Sequence, residues 1–291
     1  MRLRQSLGLE RRHALTLVLV VLVALAGCAG LGGDGSDVTP TSTAGDTPTA
    51  ASGDDSETDS VDASASEIVG PAVEAIESVS SYTLDATLET TVASANTEQT
   101  ITSTLNTSVD REASRLASAQ TSRGITTETY LVDGVVYQRS PQLVQQYNSE
   151  WIKIDVPNET SAQFNRNDEL AAHRVMLEHS AVDVVGSETV DGERAYRLAM
   201  DVNTTALNDF YGFENSSQGI ESANTSVWIS RDSNRLLKAT GTLQQTITVQ
   251  GQATETSVAY NESFAYTDVS VSLPEAASSA VEVNGTTGST V

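Results

Sequence analysis

Tyr82-Thr83-Leu84-Asp85-Ala86-Thr87-Leu88-Glu89-Thr90-Thr91-Val92 is the stretch that decides the fold. Tyr82, Leu84, Ala86, Leu88 and Val92 share one parity; Thr83, Asp85, Thr87, Glu89 and Thr91 share the other. Successive side chains of a strand point to opposite faces, so this period of two describes a strand with one apolar and one wet face. Ile101, Leu105 and Val109 repeat the pattern. Further out, Asp133-Gly134 separates two apolar alternations, and Asp191-Gly192 separates 182–190 from 194–202. Asp-Gly in that setting signals a two-residue hairpin, whose central residues both need positive φ. Residues 151–154 and 226–231 read as further strands. A last hairpin pairs Leu237, Ala239, Leu243, Ile247 and Val249 with Val258, Tyr260, Phe264 and Tyr266 around Gln250-Gly251-Gln252.

Three helical patterns interrupt the strands. Over 67–79, Ile68, Ala72, Val73, Ile76 and Val79 form one stripe. A second helix is expected over 168–180, capped by Asn167 with acids in its first turn, and a shorter one over 204–213. The fold class is therefore α+β, mostly β: an antiparallel sheet with two or three helices covering its apolar face.

Upstream of this domain the chain changes character. Arg2, Arg4, Arg11 and Arg12 precede an apolar run over 14–26, shorter than the ~20 residues a membrane-spanning helix needs. A positive segment followed by a short apolar one reads as an export signal over 1–27. The run ends in Leu25-Ala26-Gly27-Cys28, which resembles a lipobox; the resemblance implies cleavage before Cys28 and lipidation of its thiol. Arg11 and Arg12 also resemble a twin-arginine export signal. The single Cys excludes an internal disulfide. Residues 28–66 are rich in Gly, Ser, Thr, Asp, Ala and Pro and read as a disordered tether, with a root-mean-square span of roughly 35 Å. The domain is expected over 67–277 and a polar tail over 278–291.

The charge balance narrows the partners. Asp and Glu number 39 against 16 Lys and Arg, a net of −23. Without residues 1–27 the chain has 38 acids and 12 bases, a net of −26. Nucleic-acid binding needs clustered cations to displace counterions, so no nucleic-acid partner is expected. The membrane contact is expected through the lipid anchor, on the outer face of the cell membrane, rather than through surface charge. Only Lys153 and Lys238 are lysines, and acid excess with scarce Lys resembles proteins of salt-loving archaea.

His173 and His179 are six apart and face different ways, so they make no metal pair. Glu169 and His173 lie one turn apart and are expected as a surface pair. No G-x-S-x-G, P-loop or H-E-x-x-H pattern occurs, and Asp232-Ser233-Asn234 fits a hairpin turn. The expectation is a protein that is not an enzyme and has no cofactor, metal site or catalytic residue. Sequons occur at Asn106, Asn158, Asn203, Asn215, Asn224, Asn261 and Asn284, against about three expected from composition; this excess is the pattern of a glycosylated exported protein.

Three segments carry a family resemblance over roughly 67–277. They are Tyr130-Leu131-Val132-Asp133-Gly134-Val135-Val136-Tyr137 followed by Trp151, then 185–192 leading to Tyr196-Arg197-Leu198, then Val227-Trp228-Ile229-Ser230-Arg231-Asp232 with Leu236-Leu237-Lys238-Ala239. As a series they resemble the lipoprotein-carrier superfamily, the LolA-like carriers and the LppX/LprG-like lipoproteins. The resemblance implies a curved, half-closed antiparallel sheet holding a lipid-like ligand beneath its helices. Leu84, Leu88, Tyr137, Trp151, Met176, Tyr196, Trp228, Leu237 and Phe264 are the candidate ligand-binding residues. The alternative is a non-catalytic structural or interaction module of the cell envelope with a filled core.

Overall fold

The computed structural model describes residues 63–94, 97–156, 159–213, 219–249 and 252–283. The export signal, Arg11, Arg12, Cys28, most of the expected tether, and Asn158, Asn215 and Asn284 lie outside the described residues.

The elements run α1 (Ala65–Ser78), β1 (Ser81–Ser94), β2 (Thr97–Asp110), β3 (Arg115–Ser122), β4 (Ile125–Val132), β5 (Val135–Arg139), α2 (Leu143–Tyr147), β6 (Trp151–Asp155), α3 (Thr160–Arg166), α4 (Glu169–His179), β7 (Ala181–Val190), β8 (Glu193–Asp201), α5 (Thr204–Tyr211), β9 (Gly219–Ser230), β10 (Leu236–Val249), β11 (Gln252–Ala265) and β12 (Val281–Glu282). All twelve described strands join one curved sheet, in the order β12-β6-β5-β4-β3-β2-β1-β11-β10-β9-β8-β7. Pairing is antiparallel except at β12, which lies parallel to β6. Asp133-Gly134 and Asp191-Gly192 turn their hairpins with positive φ at both residues, 53° and 81°, then 50° and 86°.

Register defines the two faces. Leu84, Ala86 and Leu88 of β1 stand opposite Phe264, Glu262 and Tyr260 of β11. On the other side they meet Thr107, Leu105 and Ser103 of β2. This face lies under the helices and holds most of the core, including Tyr82, Leu84, Val109, Leu198, Val227 and Ile229. The opposite face carries exposed Asp85, Thr87, Asn106 and Asn261, with the Asn106 amide donating to Asp85. The period of two is thus read out as expected.

Helix α1 buries Ile68, Ala72 and Ile76. At its start the Glu67 carboxylate accepts the Ser64 backbone N–H at 2.8 Å. Helix α4 is capped by Asp168 rather than Asn167: the Asp168 carboxylate accepts from the Ala171 N–H at 3.2 Å. Asn167 instead closes α3, one of two short helices, with α2, that the sequence pattern did not show. Strand β3 was also unforeseen, since Leu116 is its one large apolar residue.

After β11 the chain runs across the ends of the neighbouring strands. Ser81 Oγ donates to the Thr267 carbonyl at 3.0 Å and accepts from Val269 N–H at 3.2 Å. The Arg115 guanidinium reaches the Val271 carbonyl at 3.4 Å. The segment ends beside β6, where Val283 N–H donates to the Lys153 carbonyl at 2.9 Å. Among the described residues, no helix is long and apolar enough to cross a membrane.

Candidate functional site

The candidate site is the covered face and the helices on it. Asp168 is its first fixed point. The Tyr82 hydroxyl, fully buried, donates to Asp168 Oδ1 at 2.9 Å. Arg111 donates to both Asp168 oxygens, Nε at 2.7 Å and Nη2 at 3.0 Å, and Nη1 reaches the Ile76 carbonyl at 2.5 Å. One guanidinium therefore joins the last turn of α1 to the first turn of α4. A two-toothed, charge-assisted contact of this kind orients what it joins. Burial and the Asp168 charge push the Tyr82 hydroxyl well above its usual range, so it acts as donor.

The second fixed point is a charge on the apolar face. Glu262 lies in register between Ala86 on β1 and Ala239 on β10, two small side chains that leave it room. His173 descends from α4, 1% exposed, and its Nε2 stands 2.7 Å from Glu262 Oε2. The ring also meets Phe264 edge-on at 5.6 Å. The surface pair expected of Glu169 and His173 is therefore corrected: His173 is core, and its partner comes from β11, 89 residues away. Burial first, then the negative charges of Glu262 and Asp168, raise the Glu169 carboxyl to about 8. It is held as the neutral acid at neutral pH.

The third fixed point links three strands. Tyr260 of β11 passes over Gly241 of β10 to meet Thr225 of β9, hydroxyl to hydroxyl at 2.6 Å. A Cβ on Gly241 would lie 2.5 Å from that tyrosine oxygen. The Thr225 hydroxyl also approaches Met176 Sδ at 3.9 Å, tying α4 down a third time.

The expected ligand-binding residues divide between the two faces. Leu84, Leu88 and Phe264 are buried on the covered face, Met176 faces it from α4, and Tyr196 stands on it beside Ile229. Tyr137, Trp151 and Trp228 do not join them. Tyr137 pairs with Tyr130 and Lys153, and Trp151 with Arg139, all on the opposite face. Trp228 stands opposite Lys238 and Arg197 there, with the lysine nitrogen 4.9 Å and the guanidinium carbon 5.4 Å from its ring. Leu237 sits half-buried at a register shift between β9 and β10. Strand parity sets those three on the face away from the helices.

Among the described residues, no group of three His, Cys, Asp or Glu is arranged to hold a metal ion. The four described sequon asparagines, Asn106, Asn203, Asn224 and Asn261, are all exposed. Asn203 has a second role, its Oδ1 accepting from Ala206 N–H at 3.2 Å to cap α5.

A family model matches residues 13–276, and the chain belongs to that family, described as a family of unknown function (DUF7537). Its similarities among solved structures include the lipoprotein LppX of Mycobacterium tuberculosis, 11% identical over 72% of this chain and 98% of that one, with a TM-score of 0.42. LprF of Mycobacterium bovis is 9% identical over 73% and 96%, at 0.46. A LolA superfamily protein of Nitrosomonas europaea is 11% identical over 72% and 96%, at 0.27. No curated protein matches the chain.

Proposed function

We propose that this protein is an exported, non-catalytic lipoprotein that holds an apolar, lipid-like ligand between the sheet and its helices. The observation that supports it is a mismatch of lengths. Strands β1, β2, β10 and β11 each run 14 residues, about 46 Å at ~3.3 Å per residue. Helix α4 runs 11 residues, about 16 Å, and its ties to the sheet fall at Tyr82, Glu262 and Thr225. Apolar side chains on the same face, including Leu105, Leu243, Val182, Val184 and Tyr196, remain only partly buried. Apolar surface left beside a helix cover is the kind that an acyl chain fills.

Cys28 would carry the anchor and residues 29–66 the tether, with the domain outside the membrane. Cys28→Ser should move the protein from the membrane fraction to the medium. Native mass spectrometry of protein purified from its own cells tests the ligand; a mass equal throughout to that of the anchored chain after denaturation, with nothing released, would defeat the carrier reading.

A second reading, an envelope module without ligand, draws on the β2–β4 half of the covered face. There Ser103, Thr107 and Thr129 are buried, a poor lining for hydrocarbon. The same experiment separates the two readings.

A further inference from the structure

The chain without residues 1–27 has 12 cations, and five of them, Arg194, Arg197, Arg231, Arg235 and Lys238, gather on β8, on β10 and in the β9–β10 turn, toward one end of the sheet. Of the other seven cations, five are matched: Arg111 with Asp168, Arg115 with Asp133, Arg139 with Glu128 and Glu150, Lys153 with Glu282, and Arg174 with Glu178. Arg123, in the β3–β4 turn, and Arg166, at the end of α3, are single and far apart in sequence from the group of five. Among the described residues, Arg231, Arg235 and Lys238 make no ion pair within 4.0 Å, although after residue 27 the chain has 38 acids for its 12 bases. Each instead lies over an aromatic ring: Arg231 over Tyr196 at 4.8 Å, Arg235 over Tyr266 at 4.8 Å, and Lys238 over Trp228 at 4.9 Å. Stacking fixes the head of a cation without neutralising it.

None of the described acids nearby pairs with Arg231, Arg235 or Lys238. Glu193 accepts from Ser230 Oγ at 2.6 Å, Glu188 faces Arg197 at 3.8 Å, and Asp232 is exposed in the turn. The hairpin end is rigid: Ser230 N–H donates to the Arg235 carbonyl at 2.8 Å and Asn234 N–H to the Ser230 carbonyl at 3.1 Å. Tyr196 on β8 and Tyr266 just past β11 are three strand positions apart in the sheet, roughly 14 Å at ~4.8 Å per strand. One phosphate cannot span that distance. Arg231 and Arg235 flank the covered face while Lys238 stands on the other, so the strand ends present cations end-on, as a broad array.

We propose that this end of the sheet docks on the anionic headgroups of a lipid bilayer. An array of stacked, unpaired cations fits a plane of many anions better than a single pocketed one. The inference rests on the proposed export and anchoring, which put a bilayer within reach of the tether. It gives the anchored domain an orientation, with the β8–β11 end of the covered face toward the lipid. Net charge had argued against such contact; the charge is uneven, and docking is decided locally.

The test uses the full chain carrying Trp151→Phe, so that Trp228 is its one tryptophan, reconstituted into vesicles with quencher-bearing headgroups. Vesicles rich in phosphatidylglycerol should quench Trp228, and vesicles of phosphatidylcholine should not. Adding R231Q, R235Q and K238Q should reduce the docked-to-free ratio roughly a hundredfold, about fivefold per cation. R231K with R235K should retain most of the quenching, and an unchanged circular dichroism melt shows that the fold is intact. Equal quenching in both vesicles, or none lost in the triple variant, overturns the proposal. So does release by inorganic phosphate beyond that by chloride at matched ionic strength, which would mark a free-anion site. A charge-dependent dimer replacing the quenching would overturn it as well. Docking without any copurified lipid would defeat the carrier reading alone; copurified lipid without docking would defeat this one alone.

Discussion

His173 on α4 and Glu262 on β11 meet 2.7 Å apart beneath the helix, a polar contact set into the apolar face of the sheet. Each is the other's reason for being there, since a buried polar group costs stability unless it is paired. Truncating either to Ala should lower unfolding free energy by about 2–4 kcal/mol, because the partner is left without its contact. Replacing both with apolar residues, His173→Phe with Glu262→Leu, should cost less than either truncation. Urea unfolding of the four proteins checks this; equal and additive losses would refute the pairing.

Glu169 gives the fold a pH dependence with a definite sign. Its carboxyl is raised to about 8 from the ordinary 4.5, so the folded state holds a proton that the unfolded chain has released. This contribution is fully present below pH 4.5 and is lost as pH rises toward 8. Glu169→Gln should therefore flatten the fall in Tm between pH 5 and 8. A parallel pair of curves would show that Glu169 titrates normally.

Gly241 is needed for its missing side chain rather than for its backbone freedom. Gly241→Ala should displace the Tyr260 ring, break its contact with Thr225 and cost about 1–3 kcal/mol. In a Tyr260→Ala background the same substitution should cost less but still destabilise, because the Asn224 carbonyl oxygen also stands in the way of the new Cβ. A double-mutant cycle by denaturant unfolding measures the difference.

Asn203 is both a sequon and a helix cap, and the two roles separate by substitution. Asn203→Asp should abolish any glycan there and keep the cap, whereas Asn203→Ala should lose both, with about 1 kcal/mol of stability. Mass and Tm of the two variants, compared after expression in the native host, report each role independently.

The sheet was legible where alternation was clean. Tyr82, Leu84, Ala86 and Leu88 announced β1, and Asp133-Gly134 and Asp191-Gly192 announced their hairpins, since turn chemistry and parity are local properties. Strand β3 escaped because its covered face carries Ser118 and Gln120 after Leu116. Its turn to β4, Arg123-Gly124, has φ of 51° and 77° but an uncommon first residue. Glu262 escaped because a charge within an apolar alternation reads as an interruption until a helix is seen to meet it. Trp151 and Trp228 were misplaced for a third reason. Size marks a residue as buried, but what covers Trp228 on the wet face is one cation from each neighbouring strand, Arg197 of β8 and Lys238 of β10, and Trp151 lies beside Tyr130 at 5.9 Å.

The C-terminal crossing segment has a consequence for biosynthesis. Strand β6 is made in the middle of the chain, and its outer edge stays unpaired until β12 is laid along it, some 125 residues later. The central pairing of β1 with β11 is almost as late. A growing chain therefore carries exposed strand edges for most of its synthesis, the condition under which strands pair with the wrong chain. The far edge, β7, is broken by the register shift at Val184/Gly186, which spoils its fit to a stranger. One border of the sheet is thus guarded from the moment it is made. The other is guarded only by the last strand to arrive, so a ribosome stalled before residue 281 should release an adhesive protein rather than a merely shortened one.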